Sequence, residues 1–390
     1  MEKNIKILAI ETSCDETATA VIEGSGTFPN VHIKTLSEKV LSQALKHAEF
    51  GGVFPALAKR EHTLTIVPLL ESALVDANLL VRGNTPTSKY KEQFDALLAH
   101  EGGLSEQLLS FLSCIEKPEI DAITVTAGPG LEPALWVGIN TAKALGILWN
   151  LPVIPGNHME GHLLAPLVES GASLSIIELP VLALLISGGH TEFVTMKEWL
   201  QYETIGHTVD DAVGEAFDKA ARLLGLPYPG GPQISRLAEE ARSAGVVSPW
   251  KLPRPMKDSG DLRFSFSGLK TAVMYTVRDI EVMNEETKKL LALEFENAAA
   301  DVIVLKTRAA LLQTGAKTFL IGGGVAANTH IRRQLKNMID EEFSDVTLYL
   351  PDPKITGDNA VMIGQTAMIH LLSGDMPKGG DIKANGNLSF

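Results

Sequence analysis

The sequence predicts an α/β protein built from two related lobes. Short apolar segments with strand character alternate with longer segments whose apolar residues follow helical spacing, which is the pattern of α/β layers. One strand–turn–strand motif occurs twice, over 6–23 and 180–196. It consists of an apolar strand, a tight turn of small residues and a second strand. The 390 residues are enough for two or three domains. A duplicated α/β lobe accounts for all three observations.

The composition is that of a folded protein. Hydrophobic residues make up 45% of the chain and charged residues 21%, which excludes a disordered chain. The longest apolar stretch, around 181–186, is far shorter than the ~20 residues of a membrane helix, so no membrane association is expected. The two cysteines, Cys14 and Cys114, cannot form a disulfide framework. The first residues are typical of a strand rather than a signal peptide, and we expect a cytoplasmic protein.

The net charge of −13 argues against a protein that binds nucleic acid nonspecifically. Three short basic stretches remain, at 251–257, 306–308 and 332–336. For the last two, solvated helix faces are the favoured interpretation. The stretch 263–270 interleaves aromatic and basic residues, which permits RNA stacking, but a strand with buried phenylalanines is favoured.

In the first half, the strand and helix patterns alternate in a regular order. They predict strands at 6–10 and 18–23, a helix at 61–77, a strand at 121–126 and a helix at 135–149. Residues 79–118 begin polar and rich in turn residues, and then show helical patterns at 90–99 and 104–115. We therefore expect a helical insertion in the first lobe.

The second half repeats the alternation. It predicts strands at 180–186 and 192–196, helices at 215–224 and 286–313, a strand at 318–321 and a helix that begins at Asn328.

Two histidines in the run 157–162 have the spacing of a metal site. His158 and His162 are four residues apart, so on a helix they lie one above the other and could share one ion; the alternative is a helix cap plus a packed histidine. The run is not H-E-x-x-H, because Glu160 is two residues after the first histidine, which argues against a metallopeptidase. Asp358, in a turn that opens the last helix, could add a carboxylate or could be an ordinary N-cap. Two histidines and one carboxylate favour Fe²⁺, and Zn²⁺ accepts the same ligands.

Three glycine-rich turns could approach a phosphate, at 187–189, 229–232 and 322–328. Glycine lets backbone N–H groups come close to an anion, and a following helix N-terminus adds its dipole. The third turn is the strongest, because a strand leads into three glycines and Asn328 then opens a helix. Neither a Walker P-loop nor a Rossmann glycine fingerprint is present in the sequence.

Several of these motifs occur together in one order along the chain. They are the runs 10–17, His158-Met-Glu-Gly-His162, 187–191, 211–218, 228–232, 264–270 and 322–328, and Asp358-Asn359. In this order they resemble the TsaD family, the tRNA N6-adenosine threonylcarbamoyltransferases. The resemblance covers nearly the whole chain apart from 79–118, and the chain departs from many bacterial members at Asn157, where they have His.

The resemblance implies an ASKHA fold (actin-like, sugar-kinase-like, Hsp70-like), with two duplicated lobes and a cleft that holds an adenine nucleotide. The first lobe would comprise residues 1–156 and 358–390, with 79–118 as its helical insertion. The second lobe would comprise residues 157–357 and would carry both the metal and the nucleotide motifs.

The resemblance also implies the site residues. One divalent metal, iron or zinc, would be bound by His158, His162 and Asp358. Asp15 or Glu16 would act as a base or would orient the substrate. The residues implied to contact the substrate are Leu185, Ile186, Ser187, Gly188, Gly189, Asp218, Gly231 and Asn328.

The implied reaction transfers the threonylcarbamoyl group from threonylcarbamoyl-AMP to N6 of the adenosine just 3′ of the anticodon, in tRNAs that decode codons beginning with A. The implied partners are tRNA, a paralogous TsaB-like scaffold, a TsaE-like P-loop ATPase and the synthase that makes threonylcarbamoyl-AMP. Two alternatives share the fold: a small-metabolite kinase and a non-catalytic scaffold paralogue. The kinase would not explain paired histidines and the paralogue lacks them, so His158 and His162 discriminate against both.

Overall fold

The computed structural model describes residues 4–168, 174, 177–375 and 381–390. The chain forms two compact units, Met1–Ile176 with Asp358–Phe390, and Ile177–Gly357. The first boundary therefore lies at 176/177, whereas the expected lobe boundary was 156/157. His158 and His162 accordingly belong to the first unit and not to the second, because the helix that carries them packs against the last helix of the chain.

Ten strands and twelve helices form the described part of the chain. The strands are β1 (Ile5–Glu11), β2 (Glu16–Thr27), β3 (Asn30–Ser42), β4 (Ala122–Gly128), β5 (Val153–Asn157), β6 (Val181–Ile186), β7 (Thr191–Glu198), β8 (Gln201–His207), β9 (Thr318–Gly322) and β10 (Thr347–Tyr349). The helices are α1 (Ala44–Ala48), α2 (Pro55–Asp76), α3 (Lys91–Leu97), α4 (Leu104–Ser113), α5 (Glu132–Trp149), α6 (His158–Leu164), α7 (Val213–Leu223), α8 (Gly230–Ser243), α9 (Ser267–Asp279), α10 (Glu285–Thr314), α11 (Thr329–Glu342) and α12 (Ala360–Ser373). Among the described residues, no helix combines the length and apolarity needed to cross a bilayer.

Each unit contains one five-stranded sheet, and the two sheets have the same topology. In the first unit the order is β3-β2-β1-β4-β5, with β1, β2 and β3 antiparallel and with β4 and β5 parallel to β1. In the second unit the order β8-β7-β6-β9-β10 repeats this pattern of three antiparallel and two parallel strands. The prediction of a two-lobe α/β fold is confirmed.

Helices cover both faces of the first sheet. Leu8 and Ile10 of β1 share a buried core with Ile66 and Leu70 of α2, while α12 packs along the strands. Gly364 of α12 lies so close to Ile22 of β2 that a Cβ at position 364 would collide with the Ile22 side chain. Because both faces are buried, β1 carries a continuous apolar run instead of an alternating one.

The two helical patterns predicted within 79–118 are present as α3 and α4. They are not a separate appendage, because Phe94, Leu108 and Phe111 are buried in the same core as α2. The segment is therefore a part of the first unit that extends its core.

The stretch 263–270 differs from the predicted strand. Phe264 and Phe266 are fully buried, as the favoured interpretation required, so they offer no surface for RNA stacking. Only a single β-bridge, between Thr208 and Phe264, forms there, and α9 begins at Ser267. The backbone is held instead by Asp210, whose carboxylate accepts the N–H of Phe266 at 2.8 Å.

A glycine turn joins β9 to α11 beside the end of β6. Gly323 has φ of +89°, and a Cβ at this position would collide with the carbonyl oxygen of Ile186. Gly324 follows it with an ordinary φ, and an added Cβ there would meet nothing within 4 Å. The turn thus requires glycine at its first position but not at its second.

We expect Gly323→Ala to lower the free energy of unfolding by more than about 1 kcal/mol, because alanine is strained at positive φ and cannot avoid the Ile186 carbonyl. Gly324→Ala is the matched control and should change stability little. Denaturant unfolding of both variants measures the difference. Equal stability would contradict the close approach of Gly323 to the Ile186 carbonyl.

Candidate functional site

The two histidines of the predicted metal motif are held by a short capped helix. Asn157 ends β5, and its side-chain oxygen accepts the N–H groups of Met159 at 2.9 Å and Glu160 at 3.2 Å. His158 opens α6 and His162 follows one turn later. Both side chains are buried, and their ring centroids lie 4.7 Å apart in an edge-to-face arrangement. The cap therefore fixes the start of α6 and, with it, the position of His158.

Asp358 faces the same two rings. Its Oδ1 lies 3.1 Å from Nε2 of His162 and 3.5 Å from Nε2 of His158. Asp358 is not the N-cap of α12, because Asn359 fills that position and accepts the N–H of Met362 at 2.9 Å. One donor atom from each of the two histidines and Asp358 lies within 4.8 Å of the other two, so the three could hold one ion.

A buried carboxylate orients His158 from behind. Nδ1 of His158 lies 3.2 Å from the Ser13 hydroxyl and 3.4 Å from Oε2 of Glu11. Glu11 is fully buried, and its carboxylate accepts the N–H of Ser13 at 2.6 Å and the hydroxyl of Thr126. With Nδ1 engaged, Nε2 is the nitrogen that His158 presents to Asp358. Metal-binding histidines are commonly fixed by such outer partners.

The electrostatics of the cluster favour a positive charge. Burial alone would lower the pKa of His158, but the carboxylates of Asp358 and Glu11 raise that pKa well above its ordinary value. Burial would likewise raise the pKa of Glu11 and of Asp358, yet the neighbouring His158 brings both below their ordinary values. Two carboxylates around one imidazole thus stabilise a cation, either a proton on His158 or a divalent ion.

Of the candidate catalytic acids, Asp15 lies in the turn between β1 and β2, and Glu16 is the first residue of β2. Burial and the negative charge of Asp358 raise the pKa of Glu16 to about 9, and the Ser42 hydroxyl donates to its carboxylate at 2.8 Å. Burial also raises the pKa of Asp15, again with a contribution from Asp358. The pKa values of both acids therefore depend on the charge of Asp358 in the histidine–aspartate cluster.

A separate cavity of about 320 Å³ lies within the second unit, in the size range of small-molecule sites. Four of the predicted contact residues line it: Gly188, Asp218, Gly231 and Asn328. The other lining residues are Gly214, Phe217, Pro232, Ser235, Gly324, Val325, Ala327 and Thr329.

Four predicted contact residues do not line this cavity. Leu185 and Ile186 belong to β6, and their side chains are completely buried. Ser187 and Gly189 build the turn after β6: the N–H of Ser187 donates to the His190 carbonyl at 2.8 Å, and the N–H of Gly189 donates to the Ser187 hydroxyl at 3.3 Å. These two N–H groups, expected to hold a phosphate, are thus used inside the turn.

Asp218 holds the start of α8 at the cavity. Its Oδ1 accepts the N–H of Gly230 at 2.7 Å and of Gly231 at 3.3 Å. A side chain on Gly230 would collide with Ala221 of α7, so glycine is required where the two helices meet.

Asn328 has a structural role that the sequence did not reveal. Its Nδ2 donates to the hydroxyl of Ser235 at 2.8 Å and to the buried carboxylate of Glu296 at 2.9 Å. Its Oδ1 accepts the N–H of Ile331 at 2.9 Å and caps α11. Glu296 is in turn paired with Arg242 at 2.9 Å. Because both amide hydrogens are engaged, Asn328 shapes the cavity wall through its neighbours.

Sequence reasoning missed the roles of Glu11, Ser13 and Glu296. The available signal for Glu11 was a charged residue at the end of the buried apolar run of β1. Glu296 lies in the middle of the long helix α10, and its contact with Asn328 arises only from the packing of α8 and α11.

Comparison with solved structures gives the fold. A HypF chain from T. kodakarensis matches 95% of this chain and 48% of its own length, with a TM-score of 0.52 and 12% identity. A HypF chain in phosphate- and nucleotide-bound form matches 70% of this chain and 42% of its own length, with a TM-score of 0.44 and 13% identity. The chain thus spans less than half the length of these two HypF chains. A ROK family glucokinase from Streptomyces griseus, bound to glucose and AMPPNP, is 11% identical with a TM-score of 0.40, over 93% of this chain and 98% of that one.

Comparison with family models gives the family. The match covers residues 34–82 and 103–365, which include the histidine motif, Asp358 and all residues that line the cavity. Residues 83–102, within the expected insertion, and the run 10–17 lie outside the matched ranges. The matching model is described as tRNA N6-adenosine threonylcarbamoyltransferase, and this chain belongs to that family, TsaD.

Proposed function

We propose that this protein transfers the threonylcarbamoyl group from threonylcarbamoyl-AMP to N6 of the adenosine just 3′ of the anticodon, in tRNAs that decode codons beginning with A. The observation that carries the proposal is the cluster of His158, His162 and Asp358 in a chain of the TsaD family. A small-metabolite kinase would need no such cluster. We place the activity in the cytoplasm, where the tRNA substrates are.

The donor set of the cluster fits one divalent metal. Two imidazole nitrogens and one carboxylate oxygen leave coordination positions open for a substrate, with Fe²⁺ favoured and Zn²⁺ accepted. Glu11 and Ser13 orient His158, as outer partners of a ligand do. When bound, the ion would supply Lewis acidity toward the carbonyl of the threonylcarbamoyl group.

The chain's own residues would manage the proton and the geometry. In the transfer, N6 of the adenine attacks the carbonyl carbon, the bond from that carbon to the phosphate oxygen breaks, AMP departs and N6 loses one proton. We assign that proton to Asp15 or Glu16. A raised pKa makes the ionised form of the Glu16 carboxylate a stronger proton acceptor than an ordinary glutamate. The amine is a weak nucleophile, so positioning should supply much of the rate.

The AMP portion of the donor is assigned to the cavity of the second unit. Gly188, Gly231 and Gly324 let the backbone come close to a ligand, and Val325 adds an apolar side chain to the lining. The volume of about 320 Å³ supports a ligand of this class. Asn328 would act by holding Ser235 and the turn before α11 in place.

The charge distribution supports a requirement for partners in tRNA binding. RNA affinity rests largely on neutralisation of phosphates by Lys and Arg, and the chain is net −13. Several basic side chains of these stretches are also paired with acidic side chains of the chain, which lowers the positive charge that they offer to a ligand. The pairs are Arg254 with Glu294 and Asp301, Arg263 with Asp261, Arg308 with Glu342, Arg333 with Glu239 and Lys336 with Asp340.

An exposed apolar surface of the first unit supports a protein partner. Leu45 is 84% exposed, and the nearby Phe50 and Phe54 are stacked with ring centroids 5.5 Å apart while more than half of Phe50 and half of Phe54 remain exposed. Such a surface is typical of a protein interface. We assign it to the paralogous TsaB-like scaffold, with a TsaE-like ATPase and a threonylcarbamoyl-AMP synthase completing the set.

We expect His158→Ala to remove most of the bound metal and most of the activity, because one of three ligands is lost. His100→Ala, an exposed histidine of the same unit, is the control and should retain both. Elemental analysis of protein loaded with Fe²⁺ or Zn²⁺ measures the stoichiometry. Full metal content in the His158→Ala protein would overturn this ligand assignment.

We expect Asn328→Ala to weaken AMP binding by at least about 1 kcal/mol, roughly fivefold, because Ser235 and the cap of α11 lose their partner. Asn284→Ala is the matched control: Asn284 caps α10 by accepting the N–H of Thr287 at 2.9 Å and does not line the cavity. Both variants should lose about 1 kcal/mol of stability. Calorimetry that finds equal AMP affinity in the two variants would move the adenosine site elsewhere.

We expect the isolated chain to bind tRNA weakly, with a dissociation constant of about 1 µM or weaker at physiological salt, and to transfer little threonylcarbamoyl group. Adding the partner set should raise both, and a Phe50→Ser/Phe54→Ser double variant should lose that gain. Binding and transfer are measured across a salt series. Tight tRNA binding with multiple turnovers by the isolated chain would contradict the partner requirement.

A further inference from the structure

Residues 381–390 of the first unit lie against residues 127–130, which form the end of β4 and the turn after it and are called the loop 127–130 below. Ile382 is buried in the core of that unit. The N–H of Asn385 donates to the carbonyl of Ala127 at 2.9 Å, and the N–H of Gly130 donates to the carbonyl of Gly386 at 3.2 Å. The segment and the loop 127–130 are therefore joined by backbone hydrogen bonds in both directions.

The contact requires the absence of a side chain in the loop. A Cβ on Gly128 would collide with the carbonyl oxygen of Asn385 and would lie 3.0 Å from Leu388. The backbone of the segment thus occupies the space that any other residue at position 128 would fill.

From the loop, a first chain of contacts leads to His158. Gly130 packs on Ser13 so closely that a Cβ would lie 2.6 Å from the Ser13 carbonyl oxygen, and Leu131 donates its N–H to that oxygen at 2.7 Å. The hydroxyl of Ser13 is the group 3.2 Å from Nδ1 of His158. The position of the loop therefore bears on the orientation of the imidazole.

A second chain of contacts reaches His158 through the helix cap. The side-chain Nδ2 of Asn157 donates to the carbonyl of Ser389 at 3.1 Å, while its Oδ1 caps α6. One amide thus connects the segment to the first turn of the helix that His158 opens. Capping of α6 requires only the side-chain oxygen of Asn157, so the hydrogen bond from Nδ2 to Ser389 is not part of the cap.

We infer that the segment 381–390 is a positioning element of the metal centre, which fixes His158 through the loop 127–130 and through Asn157. This inference rests on the proposed function, because it presumes that His158 binds the metal. It assigns the segment no contact with substrate or metal. Loss of outer partners of a metal-binding histidine typically weakens metal binding 10- to 100-fold.

Two variants test the inference: a substitution in the chain of 390 residues and a shortened chain that ends at Ala384. Asn157→Ser keeps an oxygen that can cap α6 and removes the amide that donates to Ser389. Removal of residues 385–390 breaks both chains of contacts. Asn387→Ala, an exposed position of the same segment, is the matched control.

Zn²⁺ affinity is measured by competition with a chelator, and Co²⁺ absorption reports the coordination sphere. We expect about tenfold weaker binding or more for Asn157→Ser and for the shortened chain, with a Co²⁺ spectrum that differs from that of the wild type, and no change for Asn387→Ala. AMP affinity should be unchanged in all three, and a far-UV circular dichroism spectrum equal to that of the wild type separates a local effect from unfolding of the first unit.

The outcomes separate the two proposals. Metal affinity and Co²⁺ spectrum equal to wild type in the shortened chain would overturn the inference and leave the proposed metal site intact. A wild-type protein that binds neither ion would overturn both.

Discussion

The carboxylate of Glu11, which is inaccessible to solvent, imposes the central constraint on the first unit. Glu11 is fully buried at the end of β1, and a charge in such a place is costly unless it is paired and hydrogen-bonded. Ser13, Thr126 and His158 provide that compensation. The turn after β1, the end of β4 and the start of α6 must therefore meet at one point, and the cluster of histidines and Asp358 forms there.

The two units share a sheet topology and differ in the turns after their first strands. After β1 the turn carries Asp15, with Glu16 at the start of β2, and the unit provides nitrogen and carboxylate donors. After β6 the turn is small and its N–H groups are largely used internally, and the unit provides a cavity lined by glycines. Duplication thus gave two scaffolds of one design, and the chemistry of each depends on a few side chains at strand ends.

The sequence was sufficient for the local features and insufficient for those that depend on packing. The i, i+4 spacing predicted that His158 and His162 share a helix face, and alternating strands and helices predicted the α/β class. The spacing could not assign the pair to a unit, because α6 is held by α12, about 200 residues later in the chain. Asn328 was expected to contact the nucleotide, but its amide is saturated by Ser235, Glu296 and Ile331, none of which a one-dimensional pattern connects. In the sequence, Glu11 is only the last residue of a strand. Its role as a partner of His158 depends on its burial, which the sequence pattern does not reveal.

The return of the chain to the first unit at Asp358 has a consequence for biosynthesis. Of the three candidate ligands, two are translated before the second unit begins and the third only after that unit has been completed. On a ribosome, the nascent first unit would expose His158 and Glu11 without their aspartate until the residues beyond 357 have emerged. A fragment that comprises only residues 4–168 would lack one ligand and the helix α12 that covers its sheet. The proposed metal centre is therefore a late product of synthesis, and cleavage of the chain within the second unit would not by itself remove any candidate ligand.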